Sequence, residues 1–278
     1  MLDFIAKPFG DILYFIYNNL AFKSYGIAII IFTIFVKIIL LPLMIKQYNN
    51  MAKMQELGPK LKEIQTKYKN DKEKLQQESM KLYQENNYNP MGGCLPLLIQ
   101  MPILLALWQV IQKPLRYMID MAPETIDKLA NVFKLPNNGY IEIGIIKNFD
   151  INKIGDIITI DIANVIKGME KGFNFLGVNL GTVPSHDYKT APLLLLIPIL
   201  AAATTYISTK LSMVTSTTPM DNPMQKSMMF IGPMMTLFFS FSFPAGMGLY
   251  WIVGGVFQIF QQMFINKLMA KKKEVQNA

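Results

Sequence analysis

Apolar positions in this chain are gathered into blocks. Runs of about 17 to 25 mostly apolar residues, enough for a helix to cross ~30 Å of hydrocarbon, lie near Tyr25 to Ile45, Gly92 to Gln112, Pro192 to Leu211, Ser227 to Phe243 and Met247 to Ile265. The pattern predicts five membrane-spanning helices. Ahead of them, Ile5, Phe9, Ile12, Ile16 and Leu20 recur at spacings of four, three, four and four, which is one face of a helix. Asp3 and Asp11, a start without basic residues and no small-residue cleavage site argue against a secretory signal. An amphipathic helix lying in the interface is expected over residues 1–22.

The polar links have patterns of their own. Met54, Leu57, Leu61, Ile64 and Tyr68 are spaced three, four, three and four, the seam of a two-helix coiled coil. Leu75, Ser79 and Leu82 form a matching stripe after the "KND" turn at Lys69 to Asp71. Residues 46–91 are therefore expected to fold as an antiparallel hairpin, its first arm kinked or restarted at Gly58 and Pro59. Residues 114–190 contain short apolar pieces such as "YIEIGII" and "DIITIDIANVIKGM" and are expected to fold partly on the membrane surface. The expected fold class is an all-α polytopic membrane protein. Its spans lie at 23–45, 92–113, 191–212, 226–243 and 246–266, with a short link at 213–225 and a basic tail at 267–278.

Composition fits this layout: 51% of the 278 residues are apolar and 17% charged, so the two kinds must segregate. The net charge of +8 could suggest nucleic acid, but its placement argues otherwise. Residues 46–91 hold nine lysines against six acids, the tail holds Lys267, Lys271, Lys272 and Lys273 against Glu274, and the 210–226 link holds Lys210 and Lys226 against Asp221. Segment 113–190 has nine of each sign and the first 24 residues two of each. The positive-inside rule then places the N-terminus and the 114–190 loop outside, and the hairpin and C-terminus in the cytoplasm. Lys60, Lys62, Lys67, Lys69, Lys72 and Lys74 of the hairpin read either as a solvated face or as a docking surface for an anionic or protein partner or lipid headgroups.

The only cysteine, Cys94, and the only histidine, His186, leave no multi-cysteine or histidine metal site, and no acid lies inside a span. No metal or other cofactor is expected.

One residue breaks the first span: Lys37 stands in "GIAIIIFTIFVKIILLPL", where a central charge costs about 2.5 to 3.5 kcal/mol. By helical rise it lies ~12 Å from the cytoplasmic end, with Thr33 one turn further out on the same face. Gln100 and Gln258 fall at a similar ~12 Å, Thr205 at ~10 Å and Ser208 at ~6 Å. Polar side chains from four spans thus share the inner half of the bilayer. They either line a wet recess or act as structural glue, with Lys37 snorkelling to the interface. A snorkelling stem gains only ~5 to 6 Å, which leaves the ammonium short of that interface. On the last span Tyr250, Gly254, Gln258 and Gln261 follow one another at four, four and three, with Trp251 beside them; the aromatics suit either this face or an interfacial belt.

The motifs "FTIFVKIILLPL", "NPMGGCLPLLIQMPILLALW" and "FPAGMGLYWIVGGVFQIFQQ", in this order and separated by a lysine-rich hairpin and a long loop, resemble the YidC/Oxa/Alb family of membrane protein insertases. The resemblance covers roughly residues 20–268, and the short N-terminus looks like the Gram-positive type. It implies an energy-independent insertase and folding chaperone in the bacterial plasma membrane, acting alone or beside the Sec translocon on nascent membrane proteins. It also implies a hydrophilic groove open to cytoplasm and lipid but closed outside, with one positive residue on the first core span. That position is Lys37 here, where many relatives carry arginine; lysine keeps the charge without the planar fork. Thr33 matches a groove threonine, Tyr250 and Trp251 an aromatic pair that contacts substrate, and Thr205 or Ser208 a polar groove residue. The hairpin and the Lys271, Lys272 and Lys273 tail are implied contacts for the ribosome, the signal recognition particle receptor or substrate. The competing readings are a solute transporter or channel using Lys37 to bind anions, and a membrane enzyme. The second lacks a nucleophile, base and orienting group within any span.

Overall fold

The computed structural model describes residues 3–89, 95–136, 139–187, 189, 192–214 and 223–277. Cys94, the start of the second span at residues 92–94 and most of the 213–225 link lie outside the described residues.

Helix α1 spans Asp3–Asn19 and α2 spans Tyr25–Lys67. At 1.5 Å per residue the 43 residues of α2 reach roughly 65 Å, twice the hydrocarbon thickness, so it must project well beyond any bilayer it crosses. Ser24 starts it, its hydroxyl accepting from the Ile27 N–H at 3.5 Å. Of the expected kink or restart at Gly58 and Pro59, the restart does not occur: α2 runs through Pro42 and Pro59 as one helix. Tyr68 to Asn70 form the turn, Asp71 caps α3 (Lys72–Glu85) through the Lys74 N–H at 3.0 Å, and α3 packs back along α2. Asn50 Nδ2 donates to the Asn89 carbonyl at 2.9 Å, tying the return of this arm to α2. Leu57 and Leu82 are buried between the two arms, whereas Lys60, Lys62, Lys67, Lys69, Lys72 and Lys74 are all exposed.

Helix α4 covers Leu95–Gln112, followed by α5 (Pro114–Met118), α6 (Pro123–Val132), α7 (Ile141–Lys147) and α8 (Ile160–Gly172). Two antiparallel strands, β1 (Asn174–Phe175) and β2 (Val178–Asn179), make a minimal hairpin, the one departure from all-α among the described residues. A short α9 (Pro184–Asp187) and a 3-10 turn at Pro192–Leu195 lead into α10 (Leu196–Val214), α11 (Pro223–Ser242) and α12 (Ala245–Asn277). Among the described residues, three helices are long and apolar enough to cross a membrane, over Tyr25–Gln47, Pro192–Ser212 and Ala245–Lys267. Two shorter apolar stretches, Ile99–Gln112 and Met229–Ser242, belong to α4 and α11.

Elements α5 to α9 and the hairpin form a cap over one end of this bundle. The first two donors of α12, Ala245 and Gly246 N–H, are satisfied at 2.8 Å by the carbonyls of Thr182 and Leu180. The Tyr140 hydroxyl donates to Ser242 at the end of α11, and the Phe175 ring rests on Gly26 at the start of α2. Helix α1 packs against α2, α4 and α5, burying Ala6, Leu13, Ile16 and Tyr17. Most of its apolar face is thus covered by protein.

Burial is uneven along the bundle. Next to the cap, Tyr25, Ile29, Phe32, Leu107, Ile111 and Met247 are fully buried with Leu180 wedged among them. Beyond Thr33, only Val36 of the remaining spanning part of α2 is buried. The fully buried apolar core of the bundle is thus concentrated at its cap end.

Candidate functional site

Where the dry core ends, Lys37 turns toward α12. A Cβ on Gly254 would lie 3.3 Å from Lys37 Cε, 3.8 Å from its Nζ and 4.0 Å from Thr33 Cγ2. The lysine stem therefore lies across the backbone of α12 at the one residue whose missing side chain makes room for it. Phe35 and Ile39 on the opposite side of α2, and Ile34 and Ile38 flanking Lys37, are exposed, which leaves the ammonium on the boundary between the bundle interior and the helix face meant for lipid. Among the described residues no carboxylate pairs with Lys37. Thr33 is fully buried and donates to the Ile29 carbonyl at 2.6 Å.

Gln100 and Tyr250 meet directly. Gln100 Nε2 donates to the Tyr250 hydroxyl at 2.6 Å, joining α4 to α12 one turn of α12 before Gly254. Tyr250 is only 3% exposed, so this contact is part of the packed interior on the cap side of Gly254. Its neighbour Trp251 points elsewhere, into a run of rings in which Trp108, Phe239 and Trp251 each stack on Phe243 with centroids 5.5, 5.5 and 6.4 Å away. That cluster staples α4, α11 and α12 together and explains Trp251 as packing as readily as contact. It was legible only as an aromatic neighbourhood, because its members are spread over 143 residues of chain.

Helix α10 approaches α12 through Thr204 and Gly255. A Cβ on Gly255 would come within 2.7 Å of Thr204 Oγ1, so Thr204 faces α12. Ser208, one turn further on the same face, is 3% exposed and donates to the Thr205 carbonyl at 2.9 Å. Thr205 is partly buried and satisfies itself on the Ala201 carbonyl at 2.8 Å. The signal for Thr204 was present in the adjoining "TT" and "GG" pairs at matching depth, where small residues let helices approach.

Further along α12, Gln258 is partly buried, and Gln261 and Gln262 are 8% and 2% exposed. Gln262 Nε2 donates to Asn266 Oδ1 at 2.6 Å. Among the described residues Gln261 Nε2 and Gln262 Oε1 find no partner; unsatisfied amides at such depth mark places where water or an incoming polar group would be held. No cluster of metal-ligating side chains occurs among the described residues. Lys271, Lys272 and Lys273 continue the backbone of α12, but their side chains lie outside the described residues. The geometry thus assembles Thr33, Lys37, Gln100 and Tyr250 around α12, places Ser208 on the neighbouring helix, and leaves Thr205 and Trp251 engaged elsewhere.

Comparison with known proteins gives these residues a context. The family model described as 60Kd inner membrane protein matches residues 15–273. The chain is 34% identical over 259 residues to a membrane protein insertase YidC of Oceanobacillus iheyensis, covering 90% of this chain and 78% of that one. It is 34% identical over 262 residues to membrane protein insertase YidC 1 of Listeria monocytogenes, covering 93% and 69%. A crystal structure described as an active YidC insertase with its first transmembrane domain resolved superposes with a TM-score of 0.52 at 21% identity, over 92% of this chain and 45% of that chain. That likeness concerns the fold. Together with its apolar helices, these matches show that the chain is a multi-pass membrane protein of the YidC/Oxa family of membrane protein insertases.

Proposed function

We propose that this protein inserts nascent membrane proteins by letting a short polar segment enter a recess beside Lys37 while the adjoining apolar segment slides into lipid. The observation that carries this reading is the Lys37 ammonium, set across Gly254 where the dry core ends and without a carboxylate partner among the described residues. A fixed charge in such a place is costly unless water or an anionic guest reaches it. The acidic residues and polar tails of an incoming chain supply that guest. Gln100, Ser208, Tyr250 and Gln258 provide hydroxyl and amide groups around the path, with Thr33 buried beside it. Transfer is driven by burial of the guest's apolar span, at about 25 cal/mol per Å². The reaction involves no covalent chemistry, so the protein acts as an insertase and chaperone rather than an enzyme, with no cofactor.

In this reading α2, α4, α10, α11 and α12 are five spans, the cap lies outside, and the α2–α3 hairpin and the basic end of α12 lie in the cytoplasm. The exposed hairpin lysines then meet the ribosome, the signal recognition particle receptor or the Sec translocon. The test is rescue of a strain depleted of its own insertase, scored by insertion of a short acidic-tailed substrate. Lys37→Arg should support insertion, Lys37→Ala should reduce it and Lys37→Glu should abolish it at equal protein levels. Normal insertion by Lys37→Glu would contradict the role of the charge. Solute flux through the purified protein in liposomes would instead favour a transporter.

A further inference from the structure

Two of the most exposed apolar side chains among the described residues lie on segments that meet at the cap end of α2. Phe22 is 92% exposed and Leu176 85%. The end of α8 holds them together: a Cβ on Gly172 would lie 2.5 Å from the Lys23 carbonyl oxygen and 2.6 Å from the Tyr17 hydroxyl. Three residues later the Phe175 ring covers Gly26 in the first turn of α2, and Tyr25 stacks on Phe173 at 4.2 Å. Leu176 follows Phe175 directly and Phe22 precedes Gly26 by four residues. Both tips are therefore level with the point where the apolar run of α2 begins.

The backbone is bent to keep these side chains there. Pairing of Asn174 with Asn179 and Phe175 with Val178 leaves Leu176 and Gly177 as a two-residue turn, with φ of 50° and 79°. Turns of this type favour asparagine or glycine at both positions, because a side-chain-bearing residue at positive φ is sterically penalised. Leucine at the first position accepts that penalty while remaining 85% exposed. Phe22 and Lys23 likewise sit at φ of 50° and 57°. Lys23 and Lys171, both exposed, flank the pair, which gives the basic and aromatic combination that suits a bilayer interface.

We propose that Phe22 and Leu176 form an apolar wedge immersed in the membrane leaflet at this end of α2, anchoring the cap to the bilayer with Lys23 and Lys171 at headgroup level. The occupant is lipid because both tips adjoin a membrane span and are flanked by lysines. The proposal rests on α2 crossing the membrane and is independent of which compartment its ends face. In a full-length Cys94→Ser background, Leu176→Cys and Phe22→Cys are labelled separately with an environment-sensitive fluorophore and reconstituted into phosphatidylglycerol/phosphatidylcholine vesicles. Both side chains are exposed, so neither change disturbs packing, and the two sites report independently.

Emission from both positions should be lost when the acyl chains carry bromine and should resist aqueous iodide, while a label at Lys153→Cys on the cap surface shows the reverse. Quenching by iodide without a bromine effect would put the tips in water and overturn the wedge. Protection from both quenchers would mean a protein cover, such as a second copy, and overturn it equally. Phe35→Cys, on the exposed face of mid-α2, separates the two ideas. If its label responds to bromine and the tips do not, only the wedge fails; if it does not respond, the span fails with it.

Discussion

Lys37 sits where the buried core of the bundle ends, and Glu142 is the buried carboxylate of the cap. Glu142 is 5% exposed, on α7 in the cap, and its Oε2 accepts from the Arg116 N–H at 2.9 Å at the start of α5. Burial pushes its carboxyl up to about 7, against the pull of the Arg116 and Leu115 N–H groups and of the Lys113 and Arg116 charges. Because the folded carboxyl holds its proton more tightly than the unfolded one, its contribution to stability is greatest below about pH 4.5 and is lost as pH rises through about 7. That loss is on the order of 3 kcal/mol. Glu142→Gln should flatten the pH dependence of thermal unfolding between about pH 5 and 7, read on the purified protein in nanodiscs. An unchanged slope would mean that Glu142 is not the group responsible.

At the scale of helices, close approach decides the packing, and two glycines give contrasting expectations. A Cβ on Gly10 of α1 would lie 2.1 Å from the Tyr117 carbonyl oxygen. The obstacle is backbone on α5, which has no rotamer to yield. Gly10→Ala should loosen α1 from α4 and α5 and destabilise the protein by about 1 to 3 kcal/mol or more, seen as a lower unfolding temperature and faster proteolysis of α1. Gly168 in α8 has nothing within 4 Å of an added Cβ, so Gly168→Ala should be neutral or stabilise by up to about 1 kcal/mol through helix propensity. Between α10 and α12 the same logic applies to Gly255: the residue that would give way to a Cβ is Thr204, and Gly255→Leu should part the two helices and impair insertion while leaving the cap folded.

Across the whole molecule, the elements that sequence patterns displayed most clearly are those whose energetics are local. The apolar runs of α2, α10 and α12 were legible because crossing a membrane demands about 20 apolar residues in a row. The seam of Leu57, Leu61, Ile64 and Tyr68 was legible because a two-helix contact repeats every three or four residues. Continuity of α2 through Pro59 was not, since proline argues for a break and nothing nearby in sequence says that the helix carries on. The cap was opaque for another reason. Its anchors join residues far apart in the chain, such as Thr182 to Ala245, Phe175 to Gly26 and Tyr140 to Ser242. Likewise, depth arithmetic put Lys37 and Gln100 on a common level, but only packing reveals that Gly254 receives the lysine and that Gln100 is committed to Tyr250.

Insertion by this route requires residue 37 to face water that is continuous with the hairpin side of the membrane. In intact cells, a Lys37→Cys variant in a Cys94→Ser background is exposed to a membrane-impermeant thiol reagent from the outside, and in inverted vesicles to the same reagent from the cytoplasmic side. Rapid modification in inverted vesicles, slowed by a stalled nascent substrate and negligible in intact cells, is the predicted result. A thiol that stays unreactive from both sides, or reacts only from outside, would contradict it.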